Sequence, residues 1–100
     1  MNKFIMLVLL FTNPVFAYET GSMSCAQIGE FAAATVHGKK NGLTYRKAIA
    51  NLNKTVPATY YIEKRNLKQI INAIYKEDWG KHLSEDGAYS SFQADCQVQK

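Results

Sequence analysis

The chain has two cysteines, Cys25 and Cys96, and between them they bracket almost everything after position 24. A bond between them would close a loop of about 70 residues, which on the chain-entropy model is worth roughly 4 kcal/mol. That is comparable with the whole net stability of a small domain. The alternative use, a pair of free thiols in a redox or metal site, has little support. The two residues are far apart in sequence, and neither has a C-x-x-C partner or a histidine-rich neighbourhood. A disulfide requires an oxidising compartment, and the first residues supply the route to one.

Lys3 provides a positive start, and Phe4 to Phe11 is an uncharged apolar run of eight residues. Thr12-Asn13-Pro14 then breaks the helix, and Val15-Phe16-Ala17 places small residues where a signal peptidase reads. The run is far shorter than the ~20 residues needed to cross a bilayer, so it reads as a cleaved signal rather than an anchor. The competing reading, an N-terminal core helix, would leave an apolar cylinder with nothing to pack on. The expected organisation is therefore a signal peptide over 1–17, a flexible leader over 18–24 and a single helical domain over 25–100. The expected location is periplasmic or secreted, with no stable membrane insertion after cleavage.

The remaining 83 or so residues suffice for one small core, of the size that exported proteins reinforce with disulfides. Helix signals punctuate them. Ser24 with Gln27 forms a capping box, and Cys25, Ile28, Phe31, Ala32, Thr35 and Val36 recur at helical spacing. Gly29, Ala32, Ala33 and Ala34 would let a neighbouring helix come close. Asn41-Gly42 ends this helix, and Thr44 caps a second, short one carrying Tyr45, Ala48, Ile49 and Leu52. Pro57 interrupts the pattern. A third helix is expected from about Thr59 to Lys76, with Leu67, Ile70, Ile71, Ile74 and Tyr75 inward; Asp78-Trp79-Gly80 reads as a closing turn. Ser84, followed by Glu85 and Asp86, opens a last helix with Ala88, Tyr89, Phe92 and Cys96 on one side. The fold class expected is all-α, a small four-helix domain with one disulfide joining the first and last helices. The β-branched and aromatic stretch from Val56 to Ile62 leaves open an extended segment there.

No pattern carries catalysis. His37 and His82 are isolated, and the adjacent acids Glu77-Asp78 and Glu85-Asp86 point in different directions on a helix. No serine has a nucleophile context and no glycine-rich loop cradles phosphate, so neither enzyme activity, a cofactor nor a metal is expected. The formal net charge of +4 falls to about +3 without Lys3. Small basic clusters at Lys39-Lys40, Arg46-Lys47 and Lys64-Arg65 with Lys68 suit either an anionic partner or a solvated helix face. Export argues against nucleic acid. Asn53-Lys54-Thr55 matches a glycosylation sequon, which matters only in a eukaryotic secretory pathway.

Aromatic residues are plentiful, and tyrosine and tryptophan dominate binding hot spots. Tyr75, Tyr89 and Phe92 fall on apolar stripes and are assigned to the core. Tyr60, Tyr61 and Trp79 fall at helix ends and, with Lys64, Arg65 and Lys68, form the candidate binding surface for a protein partner. An alternative is an acid- or stress-responsive chaperone or small apolar-ligand carrier, because six of the eight acids lie from Glu63 onward and protonating them would loosen the fold.

Cys25-Ala26-Gln27-Ile28, Gly42-Leu43-Thr44, the Ile-Ile-x-x-Ile-Tyr run from Ile70 to Tyr75, then Trp79, Ser84 and Cys96 together resemble small exported two-cysteine helical proteins of Gram-negative bacteria. The resemblance covers most of the chain after the signal. A second likeness, to Rap1a/Tai-type periplasmic immunity proteins, implies a helical, exported, disulfide-bonded inhibitor of a cell-wall-degrading effector. Small periplasmic acid-stress chaperones are similar in size, export and disulfide number.

Overall fold

A computed structural model of the protein describes residues 21–99. The expected signal peptide over 1–17 and the first leader residues lie outside them. The described chain is all-helical: α1 (Cys25–Lys40), α2 (Tyr45–Thr55), α3 (Tyr61–Lys76), α4 (Asp78–Lys81) and α5 (Glu85–Gln99).

Local chemistry sets the helix starts. The Ser24 hydroxyl accepts from Gln27 N at 3.1 Å, and the Gln27 side chain accepts from Ser24 N at 2.9 Å, so two backbone donors at the head of α1 are satisfied reciprocally. At the other end Gly42 adopts φ of 93°, and Leu43 N reaches back to Gly38 O at 2.9 Å. Thr44 Oγ1 accepts from Lys47 N to open α2, and Ser84 Oγ accepts from Gly87 N to open α5.

Two elements differ from expectation. The residue before a proline is pushed towards extended backbone; Val56 sits at φ −103°, ψ 115°, and Tyr60 N closes a turn onto Pro57 O. Helix α3 therefore begins at Tyr61 rather than about Thr59, and Val56 to Ile62 is a bend followed by helix, not a strand. Residues 78–81 wind one helical turn, α4, where only a turn was expected. Gly80 permits it: a Cβ there would lie 2.0 Å from the Ala73 carbonyl oxygen, so only glycine lets α4 press onto the end of α3.

Helices α1 and α5 run antiparallel. Cys25 and Cys96 are bonded at one end, their Cα atoms 5.5 Å apart, and His37 Nδ1 lies 3.1 Å from Glu85 Oε2 at the other. Small residues set the approach, with Ala32 and Ala88 fully buried. At Gly29 a Cβ would come within 2.9 Å of the Tyr89 carbonyl. Helix α3 packs on α1, and α2 packs on α3, so the order across the molecule is α5, α1, α3, α2, with α4 folded onto α3. Ile28, Val36, Leu52, Leu67, Ile70, Ile71 and Ile74 fill the interior with both cysteines. Removing an aliphatic side chain of this kind typically costs 2–5 kcal/mol.

The aromatic residues do not follow their stripes fully inward. Tyr75, Tyr89 and Phe92, expected in the core, are half-buried at its edge. For Tyr75 the reason is its hydroxyl, which must keep a partner: it donates to Leu43 O. The Tyr75 ring also meets Tyr45 edge-on at 5.8 Å. Tyr45 in turn donates to Asn72 Oδ1 and lies under Lys76 Nζ, 4.2 Å from its ring centroid. These contacts fasten α2 to α3.

Candidate binding surfaces

The six residues singled out in sequence do not form one patch. Tyr61, Lys64, Arg65 and Lys68 fall at i, i+3, i+4 and i+7 along α3 and share a face. Tyr60 stands just before them, outside the helix. Trp79 stands on α4, past the other end of α3 in the chain, and lines a cleft with Gln69, Asn72 and Phe92 that none of the other five lines. The exposure expected of the aromatics is observed, with Tyr60 52%, Tyr61 69% and Trp79 55% accessible. Trp79 is not loose, however: its ring lies 5.6 Å from that of Phe92 on α5.

Charge is segregated by element. From Lys39 to Lys76 the chain carries nine lysines and arginines and a single acid, Glu63, whereas from Glu77 to Gln99 it carries five acids and one lysine, Lys81. Helices α2 and α3 thus form a basic half, and α4 and α5 an acidic one. The lone acid of the basic half is occupied: Glu63 Oε2 accepts from Ser22 N at 2.7 Å and from Ser22 Oγ at 3.0 Å. The Ser22 backbone N–H, followed by Glu63's own, holds this carboxyl below the usual carboxylate range. The end of the leader is thereby fastened to α3.

An apolar cleft of about 220 Å³ opens within the basic half. Because α2 reaches the interior through α3 rather than α1, a gap remains between α1 and α2. Phe31 and Leu43 flank it, Leu52 and Val56 line its far wall, and Ile71 is its floor, with Asn51 and Thr55 at the rim. Sequence patterning could not reveal it, since Phe31, Ala48, Leu52 and Ile71 lie on stripes that looked simply buried, and Leu43 and Val56 lie outside any stripe.

Lys39 also departs from the solvated role its position suggests. It is half-buried, and its ammonium donates to Ile74 O at 2.8 Å and Lys81 O at 3.1 Å, capping carbonyls at the ends of α3 and α4. His82 is exposed at the end of α4. Among the described residues no three histidines, cysteines or acids gather as a metal site, and no helix is long and apolar enough to cross a membrane.

The chain matches no protein-family model, no curated protein and no solved structure.

Proposed function

We propose that the protein is a non-enzymatic, disulfide-stabilised binding module of the periplasm or the secreted fraction, and that it docks an acidic partner protein on the α2–α3 face. The observation that carries this reading is the coincidence of an apolar cleft with a surface of nearly uniform positive charge. Charge of one sign steers an oppositely charged partner and raises its association rate, while a desolvated anchor residue supplies affinity. Tyr61 and the cations of α3 fit the first contact, and the cleft fits one aliphatic or aromatic side chain of the partner. The resemblance to periplasmic immunity proteins makes an exported effector enzyme the natural class of partner, with this protein as its inhibitor.

The alternative of a small apolar-ligand carrier is favoured only by the same cleft, and its size argues against it. Pockets that enclose whole ligands run from about 300 to 1,000 Å³, so one of about 220 Å³ accommodates a side chain better than a cargo molecule.

Site-specific photo-crosslinking in living cells tests the proposal. A benzophenone amino acid at Tyr61 or Lys68 should yield one discrete adduct with an acidic protein, absent when the probe stands at Ser91 on α5. The adduct should vanish in a Lys64→Glu/Arg65→Glu background with the probe at Tyr61. No adduct from either α3 position, or equal adducts from Ser91, would overturn it.

A further inference from the structure

A second and larger cleft, of about 550 Å³, lies where the two halves meet, between α3 and α5, with Trp79 of α4 in its lining. It shares no lining residue with the α1–α2 cleft. Its chemistry is also different: Trp79 and Phe92 form its aromatic wall, Gln69 and Asn72 present side-chain amides from α3, and Glu77 and Asp95 bring carboxylates. From this we infer that the cleft is a binding site for a neutral oligosaccharide, with Trp79 as the stacking platform.

The argument begins with the platform. A tryptophan more than half exposed in a domain this small forfeits apolar burial, worth about 25 cal/mol per Å² of surface removed from water. Yet Trp79 is positioned rather than loose, because Phe92 backs its ring at 5.6 Å with 38° between the planes. Below it, α4 is seated by the close approach of Gly80 to the Ala73 carbonyl. A flat, fixed indole beside polar groups suits the face of a pyranose ring, which is a sheet of C–H groups bordered by hydroxyls.

The polar lining supplies what those hydroxyls need. Each sugar hydroxyl both donates and accepts, and amides and carboxylates offer donors and acceptors in fixed planes. Asn72 is oriented in advance: its Oδ1 accepts from the Tyr45 hydroxyl, which leaves the Nδ2 hydrogens as the donors of that side chain. Gln69 lies one turn earlier on α3 and is exposed. The Glu77 carboxylate disfavours an anionic glycan, so the ligand is neutral, of the hexose or N-acetylhexosamine kind. Carboxylates beside aromatics would also suit a cation. Asp95, though, is already engaged by an interaction within the protein, and the amides have no purpose for a simple cation. This site is independent of the protein-docking face proposed above.

Trp79 is the sole tryptophan, so the intact protein reports on the site without a label. Its fluorescence should be titrated with oligomers of N-acetylglucosamine, of β-linked glucose and of α-linked glucose to about 10 mM, enough to saturate a site with Kd near 1 mM. The expected result is a saturable blue shift and protection from acrylamide quenching with at least one series. Gln69→Ala, a surface change that leaves helix α3 intact, should weaken binding about tenfold, as loss of one well-made hydrogen bond does. Trp79→Phe, followed by calorimetry, should weaken it as well. No saturable response to any series overturns the inference. So does a response that Gln69→Ala leaves unchanged, or one that spermidine reproduces, which would make the cleft a cation site.

Discussion

Lys39 on α1 donates from Nζ to the backbone carbonyl of Ile74 on α3, 35 positions later in the chain and 2.8 Å away. A second bond reaches Lys81 O, and the ammonium lies 5.5 Å from the centre of the Tyr75 ring. One cation thus ties α1 to the ends of both α3 and α4. Lys39→Met keeps the aliphatic stem and removes the donors. It should lower stability by about 1.5–3 kcal/mol, the range for hydrogen bonds from charged groups. Urea unfolding followed by circular dichroism measures this, and Lys40→Met, at an exposed neighbour, should change it little.

The Cys25–Cys96 bond spans 71 positions, and the α1–α5 pair it joins is the most extensive helix contact in the fold. Replacing both cysteines with serine should cost roughly 2–5 kcal/mol, enough to leave much of a domain this size unfolded at 37 °C. The thermal melt of the native protein with reductant should agree with that of the double variant, and the melt without reductant should lie at higher temperature. Either single variant, exported to an oxidising compartment, should run partly as a dimer on a non-reducing gel. Alkylatable thiols in the native protein would contradict the bond.

Gly80→Ala would place a methyl group 2.0 Å from the Ala73 carbonyl oxygen, against backbone that has no flexible side chain to give way. Helix α4 must lift, and Trp79 with it. The expected cost is about 1–3 kcal/mol, with a red shift of tryptophan emission as the indole leaves Phe92. Gly87→Ala, whose nearest neighbour would be the Ser84 side chain, serves as the tolerated comparison.

The Ser22–Glu63 contact should respond to acid. A carboxylate with a lowered pKa contributes stability that is present above its unfolded-state value and lost as pH falls through the folded one. The tie between leader and α3 is therefore intact at neutral pH and released below the ordinary carboxylate range. Amide hydrogen exchange at Ser22, corrected for the intrinsic pH dependence, should show protection falling in that window. Glu63→Gln should weaken the protection already at neutral pH.

Much of this architecture was legible in local chemistry. Ser24 with Gln27, Thr44 and Ser84 announce three helix starts because their side chains bond the nearest free backbone amides, an interaction complete within a few residues, and Glu85 and Asp86 add first-turn acids that suit the helix dipole. The apolar stripes announced which faces turn inward, since their spacing and the helical repeat are both sequence-local quantities. The exposure of Tyr60, Tyr61 and Trp79 followed from their places at helix ends. The pairing of Cys25 with Cys96 needed only that the chain has two cysteines and that its first residues read as a signal for export.

What tertiary structure alone decided depends on which helices meet. Lys39 reads as one more terminal cation until α3 and α4 bring two carbonyls to it. Tyr89 and Phe92 read as core until the close α1–α5 approach, set by Gly29, Ala32 and Ala88, leaves them at its border, and Tyr75 until its hydroxyl finds Leu43 O. The gaps between α1 and α2 and between α3 and α5 have no local signature, because a cleft is the space left when two helices pack on a third and not on each other. Nor could spacing place Trp79 against Phe92. Distances between residues far apart in sequence follow from packing, and packing is a property of pairs of helices rather than of any one of them.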